Sequence, residues 1–110
     1  MKLPEQAVLL RIFIGESDKH QGRALYEQIV LKARELNLAG ATVVRGILGF
    51  GADSRIHSSK LLELSEDLPV VIEIVDTREK IDTLMPFIDQ QVVEGLVTLE
   101  DVKVIKYRHS

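Results

Sequence analysis

The chain has 110 residues, 45% of them apolar and 28% charged, with a formal net charge of −3 and no cysteine. That length suits one domain, residues 1–110, burying roughly two-thirds of the surface its unfolded form exposes. The missing cysteines exclude disulfides, thiol nucleophiles, thiolate zinc and iron–sulfur ligation, and the acidic balance argues against nucleic acid, whose binding needs clustered Lys and Arg.

The first apolar run, "AVLLRIFI", covers Ala7 to Ile14. Eight residues including Arg11 are too few and too charged for a signal peptide or a membrane span, so the run reads as a central strand of a cytoplasmic protein with no membrane insertion. In "GESDKHQG" Asp18, with Gln21 three residues on, has the spacing of a helix cap. Leu25, Ile29, Ala33 and Leu36 then form a stripe at helical spacing, which Asn37 or Gly40 ends.

The next segment is "GATVVRGILGFG". Its β-branched residues favour a strand from Ala41 to about Leu48, but Gly46, Gly49 and Gly51 interrupt the pattern around Arg45. Two readings fit: a bend that opens a loop, or a cradle whose backbone N–H groups and Arg45 receive an anion. Residues 50–68 follow, too long for an ordinary connection, so they read as a functional loop or as one holding a short helix near Lys60 to Leu64. "ADSRIH" contains Asp53, Ser54 and His57, the residue types of a hydrolytic triad, but real triads are assembled from distant segments, so no catalytic set is assigned.

Pro69 opens a third strand, "VVIEIV", in which Val70, Ile72 and Ile74 face one way and Val71, Glu73 and Val75 the other. Asp76 and Glu79 repeat the helix-start spacing, and Ile81, Leu84, Met85, Ile88 and Val92 make a second stripe, with a bend expected at Pro86. Gly95 ends it, and "LVTLEDVKVIKY" is the fourth strand, with a bulge expected near Glu100 and Asp101. The final residues carry Lys103, Lys106, Arg108 and His109. His20, His57 and His109 share no metal-ligand spacing, and Glu16 and Asp18 read as part of a capped turn, so no metal set is assigned.

The order βαββαβ is that of an α+β, ferredoxin-like domain: a four-stranded antiparallel sheet with two helices on one face. The apolar residues on the uncovered face then predict packing against identical chains.

The stretches "LAGATVVRGILGFG", "LSEDLPVVIEIVD" and "GLVTLEDVKVIKY" closely resemble a PII-like family known as domain of unknown function 190. More distantly, "GATV" leading to "GFG", with "IEIV" and "VIKYR", is similar to the PII nitrogen-regulatory proteins. These are homotrimers that bind adenine nucleotides in clefts between subunits and signal through a long loop. Carried over by position, the resemblance implies Thr42, Gly51, Gly95, Lys106 and Arg108 as nucleotide-binding residues. Arg45 joins them as a replacement phosphate partner, and Gly49 as the hinge beside Gly51.

The chain also departs from the PII pattern. Ala52 and Asp53 stand where PII proteins have Arg-Gln, Val71 stands where they have a phosphate-binding lysine, the loop has no tyrosine, and "GLVTL" lacks a lysine. The reduced charge suits AMP, ADP or a cyclic nucleotide better than ATP. The expected function is therefore a non-enzymatic homotrimeric regulator that binds an adenine nucleotide, carries no covalent cofactor and signals through residues 50–68. Its protein partner would be a transporter, channel or enzyme. The alternatives are a divalent-metal-binding trimer similar to cation-tolerance proteins, and a small ferredoxin-like enzyme using Glu16, Asp18 or His57 as acid–base groups.

Overall fold

The computed structural model describes residues 4–50 and 68–108. Gly51, Asp53, Ser54, His57, His109 and the helix expected near Lys60 lie outside the described residues, as does nearly all of the 50–68 loop. Strand β1 (Gln6–Gly15) is followed by a two-stranded hairpin, β2 (Lys19–His20) and β3 (Arg23–Ala24), and then by helix α1 (Leu25–Glu35). Next come β4 (Thr42–Arg45), β5 (Pro69–Asp76), helix α2 (Arg78–Gln91) and β6 (Leu96–Lys103).

The main sheet has the order β4-β5-β1-β6. All its pairings are antiparallel, with β1 in register against β5 from Val8↔Asp76 to Gly15↔Pro69 and against β6 from Gln6↔Lys103 to Phe13↔Leu96. β4 pairs with β5 from Thr42↔Glu73 to Arg45↔Val70. The architecture is thus the expected ferredoxin-like α+β arrangement, with the hairpin added.

Alternation along β1 and β5 decides what is buried. Leu10, Ile12, Val70, Ile72 and Ile74 face the helices and are essentially inaccessible, packed with Ile29 and Ala33 of α1 and with Ile81, Leu84 and Ile88 of α2. Each fully buried Leu or Ile contributes about 1.5–3 kcal/mol through loss of apolar surface to water. Both helices therefore lie on one face. The opposite face carries Leu9, Phe13, Val71 and Val75, all half-buried, with Val44 and Leu96 more exposed.

Four local expectations change. Asp18 does not cap α1: its carboxylate accepts from the N–H of Gly15 at 2.9 Å and closes a turn. The hairpin intervenes, its turn made by Gln21 and Gly22 at positive φ, and α1 starts after Ala24 with no side-chain cap. The cap of α2 is Thr77, whose Oγ1 accepts from Lys80 N–H at 3.2 Å, because Asp76 is occupied elsewhere. The register of β6 against β1 is continuous through Glu100 and Asp101, so there is no bulge, and the strand ends at Lys103. β4 is shorter than expected, ending at Arg45. α2 runs unbroken through Pro86, and α1 ends before Asn37 at φ 63°, as expected.

Gly95, just before β6, has φ 146°, and a Cβ there would lie 2.5 Å from the carbonyl oxygen of Phe13. The contact is with backbone, so it cannot be relieved by rotating a side chain. Gly95→Ala should therefore lower unfolding stability by about 2 kcal/mol or more, read as a shift of the denaturation midpoint.

Candidate functional site

The uncovered face of the sheet holds an open groove of about 680 Å³ at the N-terminal end of β1. Its floor comes from β1 and β5, including Leu9, Arg11, Glu73 and Val75; β6 and the residues after it form one wall, and the α1–β4 connection with Thr42 forms the other. Beyond Lys103 the chain crosses the end of the sheet. The N–H of Val104 donates to the carbonyl of Glu5 at 2.7 Å, and the Tyr107 hydroxyl donates to the carbonyl of Ala39 at 2.9 Å, so this strap reaches from the β6 edge to the α1–β4 connection.

Ala39 is held through both its N–H and its carbonyl. Its N–H donates at 2.8 Å to Oδ2 of Asp76, while Oδ1 of the same carboxylate accepts from Thr77 at 2.7 Å. Asp76 is 2% exposed, and these two bonds satisfy its buried oxygens. The groove wall is thus fastened to the end of β5.

The electrostatics divide along the groove. On the open face, Arg11 Nε donates to Glu73 at 2.9 Å and Arg11 Nη1 to Glu100. The hydrogen bond to Glu73 and the charges of both carboxylates push the arginine pKa up. One cation between two carboxylates leaves this patch net negative. At the mouth, Lys103 and Lys106 line the wall, Lys103 paired with Glu5 at 3.2 Å.

The nominated residues fall into two groups. Thr42 and Lys106 line the groove, and Arg108 follows two residues on, exposed. Gly49, Gly95 and Arg45 lie at the far end of the sheet: Gly49 against Pro69, Gly95 against Phe13, and Arg45 on Glu16 at 2.9 Å. The eight residues of β6 separate the two ends, roughly 25 Å of extended chain. Arg45 pairs with Val70 and so shares the helix-covered face, whereas Thr42 pairs with Glu73 on the open one. Gly46 lies at the same far end, where a Cβ would approach Pro69 Cγ to 2.8 Å; its N–H donates to the Pro69 carbonyl at 2.7 Å. Gly46 and Gly49 therefore have a packing role.

Three contributors were not expected from the sequence: Tyr107, Asp76 in its tie to Ala39, and the Arg11 cluster. Tyr107 had one signal, an aromatic residue placed between Lys106 and Arg108. Asp76 had none, since its carboxylate sits at helix-start spacing and its actual partner is 37 positions away. Among the described residues no group of three or more His, Asp or Glu gathers as a metal site, and no helix is long and apolar enough to cross a membrane.

The model of the DUF190 family, described as an uncharacterized ACR, matches residues 7–104. The chain belongs to this family. A UPF0166 protein of Aquifex aeolicus (strain VF5) is 44% identical over 97 residues, covering 88% of this chain and 91% of the relative. Among solved structures, this DUF190 chain is similar to CPII of Thiomonas intermedia K12, a nitrogen regulatory PII-like protein bound to ADP, AMP and bicarbonate. The TM-score is 0.63 at 19% identity, over 92% of this chain and 90% of CPII. The B. subtilis GlnK–ATP complex gives 0.58 at 11% identity, over 92% and 85%. These likenesses show that the DUF190 chain has the PII-like fold.

The Asp76 tie gives a direct test of how the groove is held. Asp76→Ala leaves the N–H groups of Ala39 and Thr77 without their acceptor and should cost about 2–3 kcal/mol. Amide hydrogen exchange should speed up at Ala39 to Ala41 beyond the change at the strand centres.

Proposed function

We propose that this chain is a non-enzymatic PII-like regulator that works as a homotrimer in the cytoplasm and binds an adenine nucleotide between its chains. The observation that carries this reading is the division of the nominated residues between the two ends of one sheet. Thr42, Lys106 and Arg108 can meet Gly49 and Gly95 only if the end of one chain approaches the opposite end of another. A head-to-tail contact of that kind forms a ring when the rotation between chains closes, as it would for three chains related by a threefold axis. The half-buried apolar residues on the open face supply surface for the association.

The groove suits binding better than catalysis. Among the described residues Glu73 is its one lining carboxylate, and it is committed to Arg11. Lys106 at the mouth is the candidate partner for a phosphate, and the small number of cations favours AMP, ADP or a cyclic nucleotide over ATP. Arg45, engaged with Glu16, would join the site by exchanging that carboxylate for a phosphate.

Residues 50–68 are the proposed reporter. Their two roots adjoin: Gly46 bonds to Pro69, and the N–H of Glu16 donates to the Leu68 carbonyl at 2.8 Å. A ligand in a cleft bordered by Gly49 and Gly51 would act directly on this root, and couplings of this type are worth about 1–3 kcal/mol. The recipient is a partner protein such as a transporter, channel or enzyme.

Light scattering should give three chains per particle. AMP or ADP at a hundredfold excess over Kd should stabilise the protein by about 2.7 kcal/mol, raising its melting temperature. Lys106→Ala should reduce that rise without changing the unliganded melting temperature. A monomer, or a melting temperature that no adenine nucleotide moves, would refute the reading; a rise with divalent cations alone would favour a metal-binding trimer.

A further inference from the structure

We propose that Tyr107 is the stacking wall for the aromatic base of the bound nucleotide, a role that rests on the nucleotide reading above. The groove is chemically two-sided: Leu9, Val75, Val102 and Val104 line one part, and Lys106 stands beside Tyr107 at the mouth. Phosphate gains nothing from the apolar part, whereas a flat heterocycle does. Lys106 suits the anionic end. One molecule that satisfies both parts is an anion carrying an aromatic ring, which is the chemistry of a nucleoside phosphate.

The ring of Tyr107 is already placed for this contact. It lines the groove and is 37% exposed, leaving surface to cover. Its hydroxyl is bonded to Ala39, and Ala39 is bonded to the buried carboxylate of Asp76, so the ring is tethered at its tip before any ligand arrives. A tethered ring loses little side-chain entropy on binding. Stacking on an aromatic face depends little on which base is present. Tyr107 therefore separates nucleotides from plain sugar phosphates, and choice among bases falls to other groups.

The chain has two tyrosines and no tryptophan, so tyrosine emission reads the site directly. In a Tyr26→Phe variant the signal comes from Tyr107 alone, and AMP should quench it. By calorimetry, Tyr107→Leu should weaken AMP binding about tenfold or more, the usual range for a lost base–aromatic stack. Tyr107→Phe, which keeps the ring and loses the hydroxyl that bonds Ala39, should stay within about threefold of the parent.

Equal AMP affinity for the parent and Tyr107→Leu would overturn the assignment. So would equal losses in the Leu and Phe variants, which would mark the Ala39 bond as the contributor, or unchanged emission from Tyr26→Phe on saturation with AMP. If the parent protein binds AMP and only these results fail, the stacking role alone falls. If the parent binds no adenine nucleotide, the functional reading falls with it.

Discussion

The structure depends on one geometric constraint: two helices can cover only one face of a four-stranded sheet. β1 lies between β5 and β6, and its side chains alternate between the two faces. Leu10, Ile12 and Ile14 are sealed beneath α1 and α2, while Leu9, Arg11 and Phe13 are left on the other side. The uncovered face is too apolar for a plain solvated surface and too charged for a second core. Arg11 shows how the two demands coexist, since it lies across the strands with Glu73 on one neighbour and Glu100 on the other. Such a face suits contact with other protein surface, where the apolar residues are covered and the charges remain paired.

The groove exists because the chain crosses the end of that sheet after β6. Main-chain pairing at Glu5 starts the crossing and the Tyr107 hydroxyl ends it at Ala39. Ala39 in turn is fixed by Asp76, a buried carboxylate whose two oxygens each accept a backbone N–H. A carboxylate removed from water is tolerated when its oxygens are bonded in this way. The result is a short relay, β5 to the α1–β4 connection to the C-terminal strap, that holds the walls of the groove at a set separation. Its members lie at positions 39, 76 and 107, so the site's shape depends on tertiary contacts throughout.

The stretch "GATVVRGILGFG" illustrates how one segment serves two ends of the molecule. Thr42 lies on the open face beside the groove, and three residues later Arg45 has turned to the helix-covered face and bonds Glu16. Gly46 and Gly49 then lie against Pro69, where a Cβ on Gly46 would crowd the proline ring. A strand four residues long thus links the groove to the root of the 50–68 segment.

The sequence by itself determined the order of the main elements, the faces of β5, the two helical stripes and the family likeness. These follow from local periodicity, which the chain carries residue by residue. It misread the details that depend on competition for a partner. Asp18 and Asp76 both have the spacing of helix caps, but one closes a turn with Gly15 and the other is drawn to Ala39, leaving Thr77 to cap α2. The direction of Arg45 could not be read either, because parity on a strand has meaning only once the register with β5 is set. Tyr107 became part of the groove for the same reason: its partner is 68 residues distant, and only the folded sheet brings the two together.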